Sequence, residues 1–113
     1  MSLDRSDIAT WVPGYTYDTD TVSIDRTAVG GLDDKGLTAA EAHATTGDIG
    51  EVMRTLLECV YQNYISVGVN SRPQNFRVNK SSPTDPATGV VSKTYTVRFE
   101  CESEGYNVLP ETT

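Results

Sequence analysis

One histidine, His43, and two cysteines, Cys59 and Cys101, are all that the chain offers of the side chains that most often carry nucleophilic, redox or zinc chemistry. A zinc centre built on several imidazoles is therefore excluded, and any catalytic triad must use His43. That residue sits in the alanine-rich run Ala39-Ala40-Glu41-Ala42-His43-Ala44, with no cysteine beside it and no Gly-x-Ser-x-Gly elbow anywhere in the chain. It reads as a surface histidine rather than a general base. The cysteines form no Cys-x-x-Cys pair, so they have neither zinc spacing nor a redox partner in sequence. Both lie on expected core faces or their flanks and are expected to be buried thiols. A bridge between them is the alternative, which an intracellular origin would keep reduced.

Asp18, Asp20 and Asp25 are the best cation ligands available, because a hard calcium ion takes several carboxylate oxygens and Asp-x-Asp sets two within reach of one ion. An EF-hand loop opening at Asp18 would need Gly at its sixth position and an acid at its twelfth, where the chain has Ser23 and Val29. The three acids are therefore read as solvated turn residues. Paired carboxylates for glycoside hydrolysis need a deep cleft that a small one-helix domain rarely builds. Gly30-Gly31 lacks the Lys-Ser/Thr continuation of a phosphate loop. Asn79-Lys80-Ser81 fits the glycosylation triplet, which matters only in a secreted eukaryotic protein. No catalytic residue, metal site or cofactor is expected, and the chain is read as non-enzymatic.

Charge narrows the partners. Sixteen acidic against nine basic residues give a net charge of −7, and the basic residues are scattered without a cluster. Nucleic-acid binding needs concentrated Lys and Arg to displace counterions from phosphates, so direct DNA or RNA binding is not expected, nor is attraction to anionic membranes. No apolar run approaches the roughly 20 residues of a membrane span. The opening Met-Ser-Leu-Asp-Arg-Ser-Asp also lacks the apolar stretch of a secretory signal.

The elements that must position these residues follow from periodicity. From Asp48 to Val67 the apolar residues Ile49, Val52, Met53, Leu56, Val60, Tyr64 and Val67 recur at spacings of three and four, drawing one stripe down a helix. Asp48 and Glu51 have capping-box spacing at its start, Glu51, Arg54 and Glu58 mark its solvent face, and Gly68 is placed to end it in a left-handed conformation. Thr38 and Glu41 repeat the box spacing ahead of a short helix or single turn. Tyr15 and Tyr17, then Val22 and Ile24, alternate with polar residues in two short strand-like pieces that form one bent strand or a small hairpin. Asn75 to Lys80 alternates with Phe76 and Val78 on one face. Val90 to Ser103 places Val91, Tyr95, Val97, Phe99 and Cys101 on the inner face. Between these two strands, Ser81 to Gly89 is longer than most hairpin loops, and its two prolines are expected to exclude regular pairing.

At 113 residues the chain suits one core. The expected fold is α+β: one long helix packed on a small antiparallel sheet, with extended N- and C-terminal arms. Residues 1 to 14 form the N-terminal arm, 15 to 104 the single domain and 105 to 113 the tail. Outside that core stand Trp11, Val12, Tyr15 and Tyr17 near one end and Tyr106, Val108 and Leu109 near the other, residue types that anchor protein interfaces. They either fold back to cap the sheet or dock on neighbouring subunits.

The order of Tyr/Thr-rich strand, Gly36-Leu-Thr-Ala-Ala-Glu-Ala42 stretch, helix opened by Thr46-Gly-Asp48 and Lys93-Thr-Tyr-Thr-Val-Arg-Phe-Glu100 strand resembles small virion proteins of tailed bacteriophages. Head-cement, decoration and tail proteins of that kind are compact α+β or β domains with arms. The resemblance implies a structural subunit made in the host cytoplasm and located in the virion, bound to other virion subunits or to itself as a homo-oligomer or on a lattice. It carries no functional residues across. The alternative is a small soluble module, cytoplasmic if no virion is involved, that binds a ligand or protein between helix and sheet in a pocket lined by Tyr61, Tyr64, Tyr95 or Phe99.

Overall fold

The computed structural model describes residues 8–73, 75–101 and 108. The class is α+β: one long helix with two small antiparallel two-stranded sheets in place of the single sheet expected. The chain divides into two compact units, Met1–Ser71 and Arg72–Thr113.

In the first unit a short helix α1 (Ile8–Trp11) leads through Pro13-Gly14 into β1 (Tyr15–Asp18) and β2 (Thr21–Ile24). The Tyr15 N–H donates to the Val12 carbonyl at 3.1 Å and Gly14 has φ of +90°, which is the type II turn that Pro-Gly encodes. The segment then winds through a 3₁₀ turn at Asp33–Lys35 and the Thr38–Glu41 box before entering α2 (Ile49–Ser66). That box closes reciprocally: Thr38 N–H donates to Glu41 Oε1 at 2.9 Å, and Glu41 N–H to Thr38 Oγ1 at 3.2 Å. It ends in a single turn. The N-cap of α2 is as its sequence specifies, with Asp48 Oδ1 accepting from the N–H groups of Gly50 and Glu51, a cap worth about 1 kcal/mol, but the Asp48 N–H donates to the Glu41 carbonyl at 2.8 Å and Glu51 turns to Arg54, so the box spacing is not used as a reciprocal box.

Two features of α2 differ from expectation. Ile49 and Met53, placed in the apolar stripe, are exposed, whereas Thr55, Glu58 and Cys59 are buried. The cause is the covering element. Leu32 and Leu37, from the loop before the helix, pack with Cys59 against Val52 and Leu56, and this rotates the buried face toward the Thr55–Cys59 line. Polar groups on that line have partners: Thr55 Oγ1 donates to the Glu51 carbonyl at 2.9 Å, and Gln62 Nε2 donates to Glu58 Oε2 at 2.7 Å. Glu58, at 7% exposure, is thus not on the solvent face. Arg54 pairs instead with both oxygens of Glu51, at 2.7 and 2.8 Å, and donates to the Lys35 carbonyl at 2.9 Å, fastening the loop to the helix. The helix also ends without the left-handed glycine. Val67 turns to extended backbone (φ −93°, ψ 140°) and buries its side chain, so packing rather than a glycine cap stops the helix.

The second unit contains β3 (Phe76–Ser81) and β4 (Thr94–Phe99), paired antiparallel from Phe76↔Phe99 to Ser81↔Thr94. Phe76, Val78, Tyr95 and Val97 are buried or half-buried and their neighbours Arg77, Asn79, Thr96 and Arg98 are exposed, the period of two expected of strands with one covered face. Phe99 and Cys101, expected inward, are exposed. The expectation that the two prolines exclude pairing in the long connection does not hold. Ser92 N–H donates to the Pro83 carbonyl, Thr84 bridges Val91, and Asp85 N–H donates to the Val90 carbonyl at 2.8 Å. Pairing survives because Pro83 is asked only to accept. The Asp85 to Val90 tip closes on itself, with Ala87 N–H donating to Asp85 Oδ1 and Gly89 N–H to the Asp85 carbonyl.

Candidate interaction surface

The β1–β2 hairpin carries the most exposed apolar material that sequence and structure bring together. Its register pairs Tyr15 with Ile24 and Tyr17 with Val22, while Thr16 faces Ser23 and Asp18 faces Thr21. Directly opposed residues share a face, so Tyr15, Tyr17, Val22 and Ile24 form one apolar face and the polar residues form the other. In a hairpin packed on a core that apolar face would be covered. Here Tyr17 is 74% and Val22 55% exposed, Ile24 is exposed and Tyr15 half-buried. Thr19 and Asp20 close the hairpin, and no described non-glycine residue has positive φ, so the turn is not one of the primed types that match strand twist. The strands accordingly stay at four residues each.

Of the other anchor residues, Trp11 is buried, and its carbonyl accepts from Asn63 Nδ2 of α2 at 2.7 Å. It fixes α1 to the helix of its own unit. Val12 is half-buried. Val108 is exposed and bridges Cys101, while Tyr106 and Leu109 lie outside the described residues. The structure thus joins Tyr15 and Tyr17 into one face and adds Val22 and Ile24. In the sequence Val22 and Ile24 read as strand markers, and their alternation opposite the tyrosines is the available signal.

The three aspartates surround this hairpin. Asp18 Oδ1 accepts from Thr19 N–H at 2.7 Å, and Asp25 Oδ1 accepts from the Thr27 N–H and hydroxyl at 2.9 Å each. Those Thr27 bonds, the backbone one foremost, hold the Asp25 carboxyl below its ordinary pKa. Both carboxylates serve their own turns. Among the described residues no group of three or more His, Cys, Asp or Glu side chains is arranged to hold a metal ion.

His43 borders a shallow hollow of about 230 Å³ beside the start of α2, together with Glu41, Asp48, Ile49 and Val52. Its Nδ1 accepts from the N–H groups of Thr45 and Thr46 at 3.2 and 3.3 Å, so the ring closes its own turn. None of Tyr61, Tyr64, Tyr95 and Phe99, proposed above as pocket lining, borders this hollow. Tyr64 is buried in the first unit and Phe99 is exposed in the second.

Both cysteines are free thiols. Burial pushes the Cys59 pKa up, chiefly by desolvation of its thiolate, whereas Cys101 is open to solvent. A thiol reagent added to the native protein at mildly alkaline pH is expected to titrate Cys101 alone, with Cys59 reacting only after denaturant. Equal rates for the two would contradict the Leu32–Leu37–Cys59 core.

No family model matches the chain, and no curated protein or solved structure matches it either. Among the described residues no helix is long and apolar enough to cross a membrane.

Proposed function

We propose that the chain is a non-enzymatic structural subunit of a virus particle, a head-cement, decoration or tail protein of the tailed-bacteriophage kind, which holds neighbouring subunits through its terminal segments, hairpin and loops. The observation that carries this reading is the uncovered apolar face of the β1–β2 hairpin. Single exposed hydrophobics are ordinary, but three exposed beside the half-buried Tyr15 on one face of a two-stranded sheet make a contiguous patch of the type that marks a binding surface. Across the described residues thirteen large hydrophobic side chains are exposed against six buried, so burial on a partner would add substantially to a thin core. A subunit of this kind is stabilised by mass action, because the partner binds only the folded form. The acidic balance and the absence of a nucleic-acid signature favour protein neighbours.

Co-sedimentation tests the proposal. Purified protein mixed with empty shells or tails from its own source is expected to pellet with them at a saturable stoichiometry, and Tyr17→Ser with Val22→Ser is expected to weaken that binding by at least about tenfold, the loss of two buried anchors. Wild-type protein that stays in the supernatant at every concentration overturns the reading.

A further inference from the structure

The hydrogen-bond phase of the β1–β2 hairpin turns the backbone of its apolar residues outward. Asp25 N–H donates to the Gly14 carbonyl at 2.8 Å, one rung beyond Tyr15↔Ile24 in the same register. Bonded and non-bonded pairs alternate along an antiparallel ladder, so Thr16–Ser23 and Asp18–Thr21 are the bonded pairs, and Tyr15–Ile24 and Tyr17–Val22 are not. The N–H and C=O groups of Val22 and Ile24 therefore point away from β1, along the outer edge of β2. Among the described residues neither makes a hydrogen bond to anything beyond the hairpin, and every residue from Thr21 to Ile24 is exposed. The outer edge of β1 is less open, since Tyr15 N–H is taken by the Val12 carbonyl and α1 lies beside the strand.

An open strand edge is a template for another strand, and proteins that must keep it empty place charges, proline or a bulge along it. Thr21-Val22-Ser23-Ile24 has none of these. Charge decides what kind of strand it takes. Asp18 stands on the polar face of the hairpin, Asp20 and Asp25 adjoin the two ends of β2, and no Lys or Arg occurs from Tyr15 to Asp25. We infer that β2 takes up an extended segment of a partner protein as a third, antiparallel strand, in which apolar residues alternate with Lys or Arg. Directly opposed residues share a face, so the guest's apolar residues lie opposite Val22 and Ile24 and widen the apolar face of the hairpin. Its basic residues then fall on the other face, with Thr21, Ser23 and Asp18. Asp18 is two strand spacings from the guest, about 10 Å, which a long basic side chain spans. Main-chain hydrogen bonds hold the guest, and its alternation of apolar and basic residues selects it. This inference rests on the proposal that the protein acts by docking, and it names the chemistry of one segment that it holds.

A capped hexapeptide of alternating lysine and valine is the probe, read by the backbone amide resonances of the full chain. With peptide at up to about 1 mM, shifts are expected to centre on Thr21 to Ile24, and solvent exchange of the Val22 and Ile24 amides is expected to slow at least about tenfold. A glutamate–valine peptide of the same length is expected to bind at least about tenfold more weakly at about 50 mM salt, a gap that narrows at about 500 mM. The lysine–valine peptide N-methylated at its valines keeps its side chains but cannot donate to β2, and is expected not to bind. Val22→Pro removes an N–H that the hairpin's own ladder does not use and is expected to weaken binding at least about tenfold, whereas Val22→Ala keeps that N–H and weakens it less. Absent or scattered shifts, equal binding of the glutamate or the methylated peptide, or wild-type binding by Val22→Pro overturns the inference; the methylated peptide decides even if Val22→Pro fails to fold. A free protein that is already dimeric, with Val22 and Ile24 slow to exchange, also overturns it, because the edge then belongs to a second copy. If the lysine–valine peptide does not bind and the protein still pellets with shells, docking stands and only strand addition falls; if it does neither, both fall.

Discussion

Leu37→Ala is expected to cost the first unit about 2–5 kcal/mol. Leu37 is 2% exposed and sits with Leu32 and Cys59 in a cluster of buried residues against α2, so its truncation leaves a cavity in a packed site. Stability at the usual per-residue figure gives a unit of this length about 4–10 kcal/mol, so a single truncation removes a large share. The same loss lowers the melting temperature by more than about 10 °C in a domain of 60–100 residues. Calorimetry checks this. Ile49→Ala, on the helix position that sequence periodicity had placed in the core, is expected to shift the melting temperature by no more than a few degrees, since Ile49 is exposed. A larger effect at Ile49 than at Leu37 would restore the stripe read from the sequence.

Gly14→Ala is expected to cost about 2–4 kcal/mol. Two causes add. At φ of +90° a side chain is strained by about 1–2 kcal/mol, and an added Cβ would lie 2.4 Å from the Asp25 carbonyl oxygen and 2.9 Å from the Ala28 Cβ. The Asp25 backbone is not free to yield, because its N–H donates to the Gly14 carbonyl at 2.8 Å and relief of the clash stretches that bond. Gly68→Ala is the matched control: nothing lies within 4 Å of its added Cβ, and its expected effect is within about 0.5 kcal/mol. Urea midpoints at unchanged slope measure both. A Gly14 shift no larger than the Gly68 shift would mean that the turn does not sit against Asp25.

Local signals were legible and covering surfaces were not. Asp48 announced the start of α2 because an N-cap depends only on residues within three positions of it. The alternation around Val78 and Val97 announced β3 and β4, and the Thr38–Glu41 box closed as its spacing implied. The buried side of α2 could not be read from its own apolar residues. It is set by Leu32 and Leu37, two residues in a turn-rich loop with no periodicity, so Thr55 and Glu58 are buried while Met53 is exposed. The end of α2 failed for the same reason, since burial of Val67 decided it and Gly68 did not. For the interaction surface, the tyrosines were legible as anchors. Their union with Val22 and Ile24 required the pairing register, which a two-residue turn does not advertise when it lacks glycine.

The tip from Asp85 to Val90 has a use apart from any natural partner. Every residue from Ser81 to Val90 is exposed, and the tip is closed by hydrogen bonds among its own residues and its immediate stem. Exposed loop tips of this kind are where chains best tolerate inserted sequence. A foreign peptide spliced between Ala87 and Thr88 would displace no buried side chain. On the particle proposed above it would be displayed in as many copies as there are subunits, which makes this hairpin a place to graft an epitope or an affinity tag.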